Sequence, residues 1–200
     1  MAATAWRDEV RSALVGSLRL AKGDRGGLAY FDRSLDGFWR SFFSGVLCYP
    51  LYLMLLTMRV STAEWEASGG LRIVLVETIG YVIAWVAFPL IMLSVTRWIS
   101  RQHRFFDFMV PYNWSQVLQS VLFVLVGLQS ESGILGDPAS QAIEAAAAVA
   151  VLVYEWYIAR VALETSGGAA TLVVLVDLVL GVIVSRAAGS LYYRPAKGSG

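Results

Sequence analysis

The sequence predicts an all-α, polytopic transmembrane helical bundle of about five spans, with an N-terminal amphipathic helix at the membrane interface. Hydrophobic residues make up 57% of the 200-residue chain and charged residues only 16%, whereas soluble domains carry about 25% charge. The mean hydropathy is +0.60. The apolar residues also cluster in runs of roughly 17–25, the length that crosses a hydrocarbon core about 30 Å thick.

The first 36 residues form a polar to amphipathic segment. Trp6, Val10, Leu14 and Leu18 recur every four residues, and arginines flank this stripe. Two structures fit the pattern: a helix lying in the membrane surface with its arginines toward lipid phosphates, or a helix packed on the end of the bundle. The Gly-containing stretch at 22–27 is expected to end the helix.

Residues 37–190 are predicted to form one bundle domain, because short spans can bury themselves only against one another. Their connections are short and carry Gly, Ser and acidic residues, which is typical of turns. A short tail, 191–200, follows the bundle. The five predicted spans cover residues 38–58, 72–96, 112–129, 141–163 and 169–186.

The distribution of Lys and Arg predicts the orientation of the chain. Seven lie within the first 40 residues and three in the loop after the second span, but none lies at 129–140. The N-terminus is therefore expected in the cytoplasm, and a plasma or bacterial-type inner membrane is favoured. Five spans place the C-terminus outside, whereas Arg186, Arg194 and Lys197 favour the inside, as an even number of membrane segments would.

Several charged residues lie within the predicted spans, where a charge costs about 3 kcal/mol or more at the bilayer centre. Such residues are kept neutral, paired, hydrated or functional. A chain of intramembrane carboxylates would suit the movement of protons or cations. The candidate intramembrane charge network consists of Glu77, Glu144, Glu155, Arg160 and Asp177.

Asp177 interrupts an otherwise apolar or Gly run at 172–184, and three explanations are open for it. A helical hairpin near Ser166–Gly168 would bring Asp177 and Arg160 within about 5 Å in depth, so the two could form an ion pair. Asp177 could instead be protonated and hydrogen-bonded to a Tyr or Gln. In the third explanation, Asp177 lines a hydrated functional cavity.

The third span carries amide and hydroxyl side chains in its inner half. Gln116, Gln119 and Ser120 are the candidate lining of a polar cavity, although such groups also form interhelical hydrogen bonds. Pro50 and Pro89 occupy similar places in spans 1 and 2, in the related stretches YPLYLMLLTMR and FPLIMLSVTR. Because proline removes a backbone donor, both are candidate helix kinks, and discontinuous helices line binding sites in transporters.

Two surfaces are candidates for binding. Three alanines of span 4 recur at the small-residue spacing that lets helices approach closely, which predicts contact with another span, a second copy or another membrane protein: Ala142, Ala146 and Ala150. Three arginines after span 2 are spaced to share one helix face, which predicts either an anionic-lipid site or the positive-inside bias alone: Arg97, Arg101 and Arg104.

The sequence has no phosphate-binding loop, His-Glu-x-x-His, paired Cys motif or Gly-x-Ser-x-Gly elbow. With one His, one Cys and a net charge of +1, we expect no enzymatic activity, no cofactor, no metal and no nucleic-acid partner.

The favoured function is a non-catalytic scaffold, assembly or accessory component of a membrane. The alternative is a small transporter or proton/cation-coupled carrier that uses intramembrane carboxylates. A dry interior with every charge paired would favour the first function. A hydrated cavity that reaches Asp177 beside the two prolines would favour the second.

Overall fold

The computed structural model describes residues 2–192, with side chains from Trp6 onward. All regular secondary structure in this part of the chain is helical, which confirms the predicted all-α bundle. Two short 3-10 segments, Arg25–Tyr30 and Gln102–Arg104, join the longer helices. The α-helices are α1 Ala2–Ala21, α2 Leu35–Ser41, α3 Phe43–Arg59, α4 Thr62–Ser68, α5 Gly70–Trp98, α6 Phe105–Glu131, α7 Asp137–Ala162 and α8 Gly167–Tyr192.

Four segments in the described chain are long and apolar enough to cross a membrane. They are Leu35–Arg59, which joins α2 and α3, and the helices α5, α7 and α8. Helix α6 has 27 residues; its first half is buried among the other helices, whereas Val121, Leu125 and Leu128 in its second half are exposed. The bundle therefore has four to five spans, and the protein is an integral membrane protein.

Helix α6 is the centre of the bundle. It packs along α3 and α7, and it also contacts α1 and α2. Phe108, Met109 and Trp114 are at most 1% exposed. The predicted span at 112–129 begins too late, because the helix starts at Phe105 and continues through Pro111. Packing inside protein tolerates a proline and polar side chains that a lipid-facing helix would not.

Helix α1 packs against the bundle. Ala13, Ser17 and Leu20 are buried in the contact with α6 and α7. The Tyr154 hydroxyl donates a hydrogen bond to the Ser17 carbonyl at 2.8 Å. The predicted apolar stripe lies beside this buried face: Trp6 is half-buried and Leu18 is exposed. Of the two predicted structures, the structure shows a helix packed on the bundle that leaves part of its apolar stripe open.

Ion pairs bring the N-terminal segment and two connections together at one end of the bundle. Arg33 pairs with Asp107 at 3.1 Å, and Arg104 pairs with Glu164 at 2.5 Å. The first contact joins the segment before α2 to the first turn of α6. The second joins the α5–α6 connection to the α7–α8 connection. That arrangement is the one that consecutive antiparallel spans produce.

The end of α8 lies at the opposite end of the bundle. Ser68 Oγ donates to the Tyr192 carbonyl at 2.6 Å, so α8 ends beside α4, which follows the first span. The start and the end of the described chain therefore lie at opposite ends, as five spans require. Arg194 and Lys197, whose charges favour the other arrangement, lie outside the described residues.

Candidate functional site: an acidic cavity between two helix pairs

The bundle contains a cavity of about 260 Å³ between two pairs of helices. Helix α3 packs on α6, and α5 packs on α8. The two pairs meet largely through side chains, and the cavity lies where they meet. Its lining comprises Cys48, Tyr52 and Leu55 of α3, Tyr81, Ala84, Trp85, Phe88 and Pro89 of α5, Tyr112, Asn113, Gln116 and Ser120 of α6, and Asp177, Leu180 and Gly181 of α8.

Asp177 is the one charged residue in this lining. Its Oδ1 accepts a hydrogen bond from the Tyr112 hydroxyl at 2.5 Å. None of the ion pairs in the described part of the chain includes Asp177. Two of the three explanations for this residue therefore have a structural counterpart, the hydrogen bond to a tyrosine and the position on a cavity wall.

The predicted Asp177–Arg160 ion pair is wrong. Arg160 donates to the Thr165 carbonyl at 3.1 Å, and its guanidinium lies 5.6 Å from the centre of the Trp156 ring. Helix spacing matched the two residues in depth, but depth does not determine direction. Arg160 is on the exposed side of α7, whereas Asp177 contacts α6.

Glu155 joins Asp177 at the centre of the bundle. It is 6% exposed and lies beside the amides of Gln116 and Gln119, close enough to Asp177 for the two charges to interact. The Tyr112 hydroxyl lies close enough to both carboxylates for their charges to act on it. No basic side chain pairs with Glu155 in the described residues. This pair of carboxylates therefore lacks a compensating cation. Two like charges repel strongly at low dielectric.

The predicted polar cavity residues divide into two groups. Gln116 and Ser120 line the cavity. Gln119 is buried behind them, where its amide donates to Ser115 Oγ at 3.3 Å. Of the two candidate prolines, Pro89 is buried and lines the cavity, whereas Pro50 is exposed.

Glu77 belongs to a second, fully paired cluster. It is 2% exposed, and its carboxylate pairs with Arg59 at 2.9 Å. The Tyr192 hydroxyl donates to Oε1 at 2.8 Å, and the Tyr52 hydroxyl donates to Oε2. The cluster ties α3, α5 and α8 together. The sequence does not predict these partners, because Arg59 and Tyr52 come from α3 and Tyr192 from the end of α8.

The carboxylates of the candidate charge network do not form one chain across the membrane. Glu144 is exposed and accepts a hydrogen bond from Ser130 Oγ at 2.6 Å. Glu77 lies in its own cluster, so only Asp177 and Glu155 come together.

The three arginines after the second predicted span do not share a helix face. Arg97 belongs to α5, but that helix ends at Trp98 and Ser100 has a φ of +58°. Arg104 lies in the 3-10 segment and is held by Asp107 and Glu164. Because the helix ends at Trp98 and the chain changes direction at Ser100, Arg97, Arg101 and Arg104 are not on one continuous helix. The predicted shared face is therefore wrong. The anionic-lipid partner remains a prediction.

The alanine face of α7 points outward. Ala142, Ala146 and Ala150 are exposed, whereas Val151 and Ile158 are buried on the side that packs against the bundle. The expected contact of this face with a neighbouring span of the same chain is therefore wrong. The face is open to lipid or to another protein, which leaves both of those partners as predictions.

The aromatic part of the cavity wall was not predicted from the sequence. Tyr81, Trp85 and Phe88 fall at i, i+4 and i+7 of α5, which places them on one helix face. That spacing was visible in the sequence. An aromatic stripe at that spacing is also typical of a helix face that only packs in a core.

The comparisons with known proteins identify no relative. No protein-family model matches the chain, and neither a curated protein nor a solved structure matches it significantly. The fold and the site therefore define a class, an integral membrane helical bundle with an acidic, aromatic-lined cavity.

Proposed function

We propose that the protein is a small, non-catalytic membrane carrier that binds a positively charged species at Asp177. The observation that supports this proposal most is a carboxylate without a basic partner on the wall of a cavity inside the bundle. In the membrane interior such residues mark ion and substrate pathways. The function is the alternative that the sequence analysis left open, with the cavity beside Asp177 and Pro89 as its support.

The energetic argument rests on what the fold does elsewhere. Removing a charge from water costs several kcal/mol unless a partner and hydrogen bonds compensate it. At Glu77 an arginine and two tyrosine hydroxyls provide that compensation. At Asp177 one tyrosine hydroxyl is the partner found among the described residues. A cation that enters the cavity would supply the missing positive charge and would be held for the same reason.

The arrangement of the helices is compatible with movement around the cavity. Helices α5 and α6 share few contacts compared with α3–α6 and α5–α8. Carriers commonly move one helix group against another around a fixed site. A movement of the α5–α8 pair against the α3–α6 pair would have to carry α7, which packs on both α6 and α8, and to rearrange the Glu77 cluster that ties α3 to α5 and α8.

The test is charge movement in reconstituted liposomes. Full-length protein is adsorbed on a supported membrane, and currents are recorded after jumps in proton, Na⁺, K⁺ or methylammonium concentration. We expect a transient current with at least one cation, and its loss in Asp177→Asn. The matched control is Asp137→Asn, an exposed acid at the start of α7, which should retain the current. An undiminished current in a folded Asp177→Asn protein would refute the proposal.

The exposed alanine face favours a second candidate, the non-catalytic assembly or accessory role. Ala142, Ala146 and Ala150 offer a flat surface for a second copy or another membrane protein. Oligomers in lipid nanodiscs that Ala146→Leu dissociates would support this role. A monomer in nanodiscs, together with Asp177-dependent currents, would leave the carrier as the better explanation. A cytoplasmic N-terminus in a bacterial-type inner membrane remains part of both proposals.

A further inference from the structure

Five aromatic side chains contribute to the cavity wall that Asp177 also lines. The Tyr52 and Tyr81 ring centres are 4.8 Å apart, and Tyr81 continues to Trp85 at 6.0 Å. On the other side, Phe88 stacks on Tyr112 with ring centres 4.4 Å apart. The wall therefore joins three helices through rings and surrounds one carboxylate.

The tyrosine hydroxyls of this wall are already engaged. Tyr52 donates to Glu77, Tyr81 donates to the Gly45 carbonyl at 2.6 Å, and Tyr112 donates to Asp177. The Asn113 amide also donates elsewhere, to Ser41 Oγ at 2.8 Å. The cavity therefore offers a ligand aromatic surface, the Asp177 carboxylate and the neutral side-chain oxygens of Gln116 and Ser120.

This combination is unsuited to a bare metal ion. Hard cations such as Ca²⁺ and Mg²⁺ require about six oxygen ligands, several of them carboxylates, and the wall has a single carboxylate beside its neutral oxygens. The described residues also contain no group of three His, Cys, Asp or Glu side chains that could hold a metal ion. An alkylated ammonium ion has the opposite needs, because aromatic surface attracts its charge and covers its alkyl groups.

We infer that the cavity binds an organic ammonium ion, with its charged nitrogen toward Asp177 and its alkyl groups against Trp85, Tyr81 and Phe88. The inference rests on the proposed carrier function and names its substrate class. Asp177 provides the opposite charge, and the rings replace the water that a small alkylammonium binds only weakly.

Gly181 provides an opening to the site from the side of α8. It lines the cavity together with Asp177, and both residues also border an open groove on α8 that extends to Arg186. A Cβ atom added at Gly181 would meet nothing within 4 Å, so a larger side chain fits there without disturbing the packing. Gly181→Leu should therefore obstruct entry of a ligand and leave the fold intact.

The test is binding to the purified full-length protein in detergent, measured by isothermal titration. The probes are tetramethylammonium and tetraethylammonium, with Na⁺, K⁺ and the neutral tert-butyl alcohol for comparison. We expect an ammonium probe to bind at least tenfold more tightly than K⁺, and tert-butyl alcohol to show no binding. Asp177→Asn should weaken ammonium binding at least tenfold, and Gly181→Leu, which places a side chain at the opening of the site, should weaken it as well.

Two tryptophans on α5 provide the matched comparison. Trp85→Leu removes a wall ring and should weaken ammonium binding several-fold, with Trp85→Phe restoring part of it. Trp98→Leu changes a residue that is 76% exposed and should leave binding unchanged. Equal binding of K⁺ and the ammonium probes, or no loss in a folded Trp85→Leu protein, would overturn the inference.

The outcomes also separate this inference from the proposed function. Asp177-dependent currents carried by protons or metal ions, without ammonium binding, would overturn the substrate class and leave the carrier standing. The absence of both binding and Asp177-dependent current for every cation would refute the two together. Ammonium binding that depends on Asp177 and Trp85 supports the inference even where the carrier is slow.

Discussion

Two buried acidic regions of this bundle are treated in opposite ways. Glu77 is enclosed by Arg59, Tyr52 and Tyr192, so its charge is paired and its oxygens are bonded. Asp177 lies beside another carboxylate, Glu155, with the Tyr112 hydroxyl as its partner. Both acids lie on long apolar helices, yet only one is provided with a basic partner.

The difference teaches how to separate structural from functional charge in a membrane protein. A structural carboxylate connects helices, and its partners neutralise it, as at Glu77. A carboxylate that remains without a cation beside a cavity contributes repulsion to the fold, and repulsion of that kind is commonly retained for function. Each prediction below tests whether the two regions really differ in this way.

Removal of Arg59 should have the largest effect on stability. Arg59→Met leaves the buried Glu77 carboxylate without its cation, and because the Arg59 side chain is itself about half exposed, solvent screening limits the loss to about 2–3 kcal/mol. The measurement is equilibrium unfolding of the protein in mixed micelles. Arg72→Met is the control, because Arg72 is exposed and donates to the Leu191 carbonyl, which should limit the loss to about 1 kcal/mol.

The double variant Arg59→Met/Glu77→Gln sharpens this result. Residues in one ion pair are not additive, so the double variant should be more stable than the sum of the two single changes predicts. Additive losses would show that Arg59 stabilises the protein through contacts other than Glu77, and the first half of the comparison would fail.

Asp177→Asn should change stability in the opposite direction or not at all. The asparagine keeps an oxygen for the Tyr112 hydroxyl and removes an uncompensated charge, so the free energy of unfolding should be unchanged or higher by about 1 kcal/mol. Glu77→Gln, measured in the same micelles, should lower it by about 2 kcal/mol. A loss above about 2 kcal/mol for Asp177→Asn would make the residue structural.

The effects of Arg160→Gln and Asp177→Asn on the free energy of unfolding should be additive within about 0.5 kcal/mol, since the two side chains do not touch.

Much of the fold was predictable because apolar runs and membrane thickness constrain it directly. The helices α5, α7 and α8 include the predicted spans 72–96, 141–163 and 169–186 apart from a residue or so at their ends. The prediction was weakest at α6, where Phe105–Trp114 contains an acid, a proline and an amide. Residues of this kind are unfavourable in lipid, so a prediction based on transfer to lipid places them in a loop. In the structure they are buried against protein, where they are tolerated.

Several polar members of the site were predictable, but its aromatic members and its contacts were not. The rarity of charge and amide groups in apolar runs singled out Asp177, Gln116, Ser120 and Pro89, and all four line the cavity. The direction of a side chain around its helix depends on which helices pack together, and sequence spacing alone does not contain that. For the same reason the partner of Asp177 proved to be Tyr112 rather than Arg160.

The smallest effect is expected outside the membrane, at Asp32, and it tests whether a solvated acid behaves differently from the buried Glu77 and the half-buried Asp177. The hydrogen bonds from Ser34 and the Arg40 guanidinium lower the pKa of Asp32. Because the folded-state pKa lies below the unfolded value of about 3.9, the stabilisation is present at neutral pH and is lost as the pH falls through the folded-state pKa. Both side chains are partly exposed, so we expect less than about 1 kcal/mol at pH 7.

The measurement for Asp32 is the melting temperature of wild type and Asp32→Asn between pH 7 and about pH 3. The difference between the two should be present at pH 7 and should vanish at the acid end, while Asp8→Asn, a change of an exposed acid in α1, should show no such difference. A gap that persists unchanged at low pH would mean that Asp32 acts through packing rather than charge. In that case the ordinary behaviour of a solvated acid could not be used as the reference against which Glu77 and Asp177 are compared.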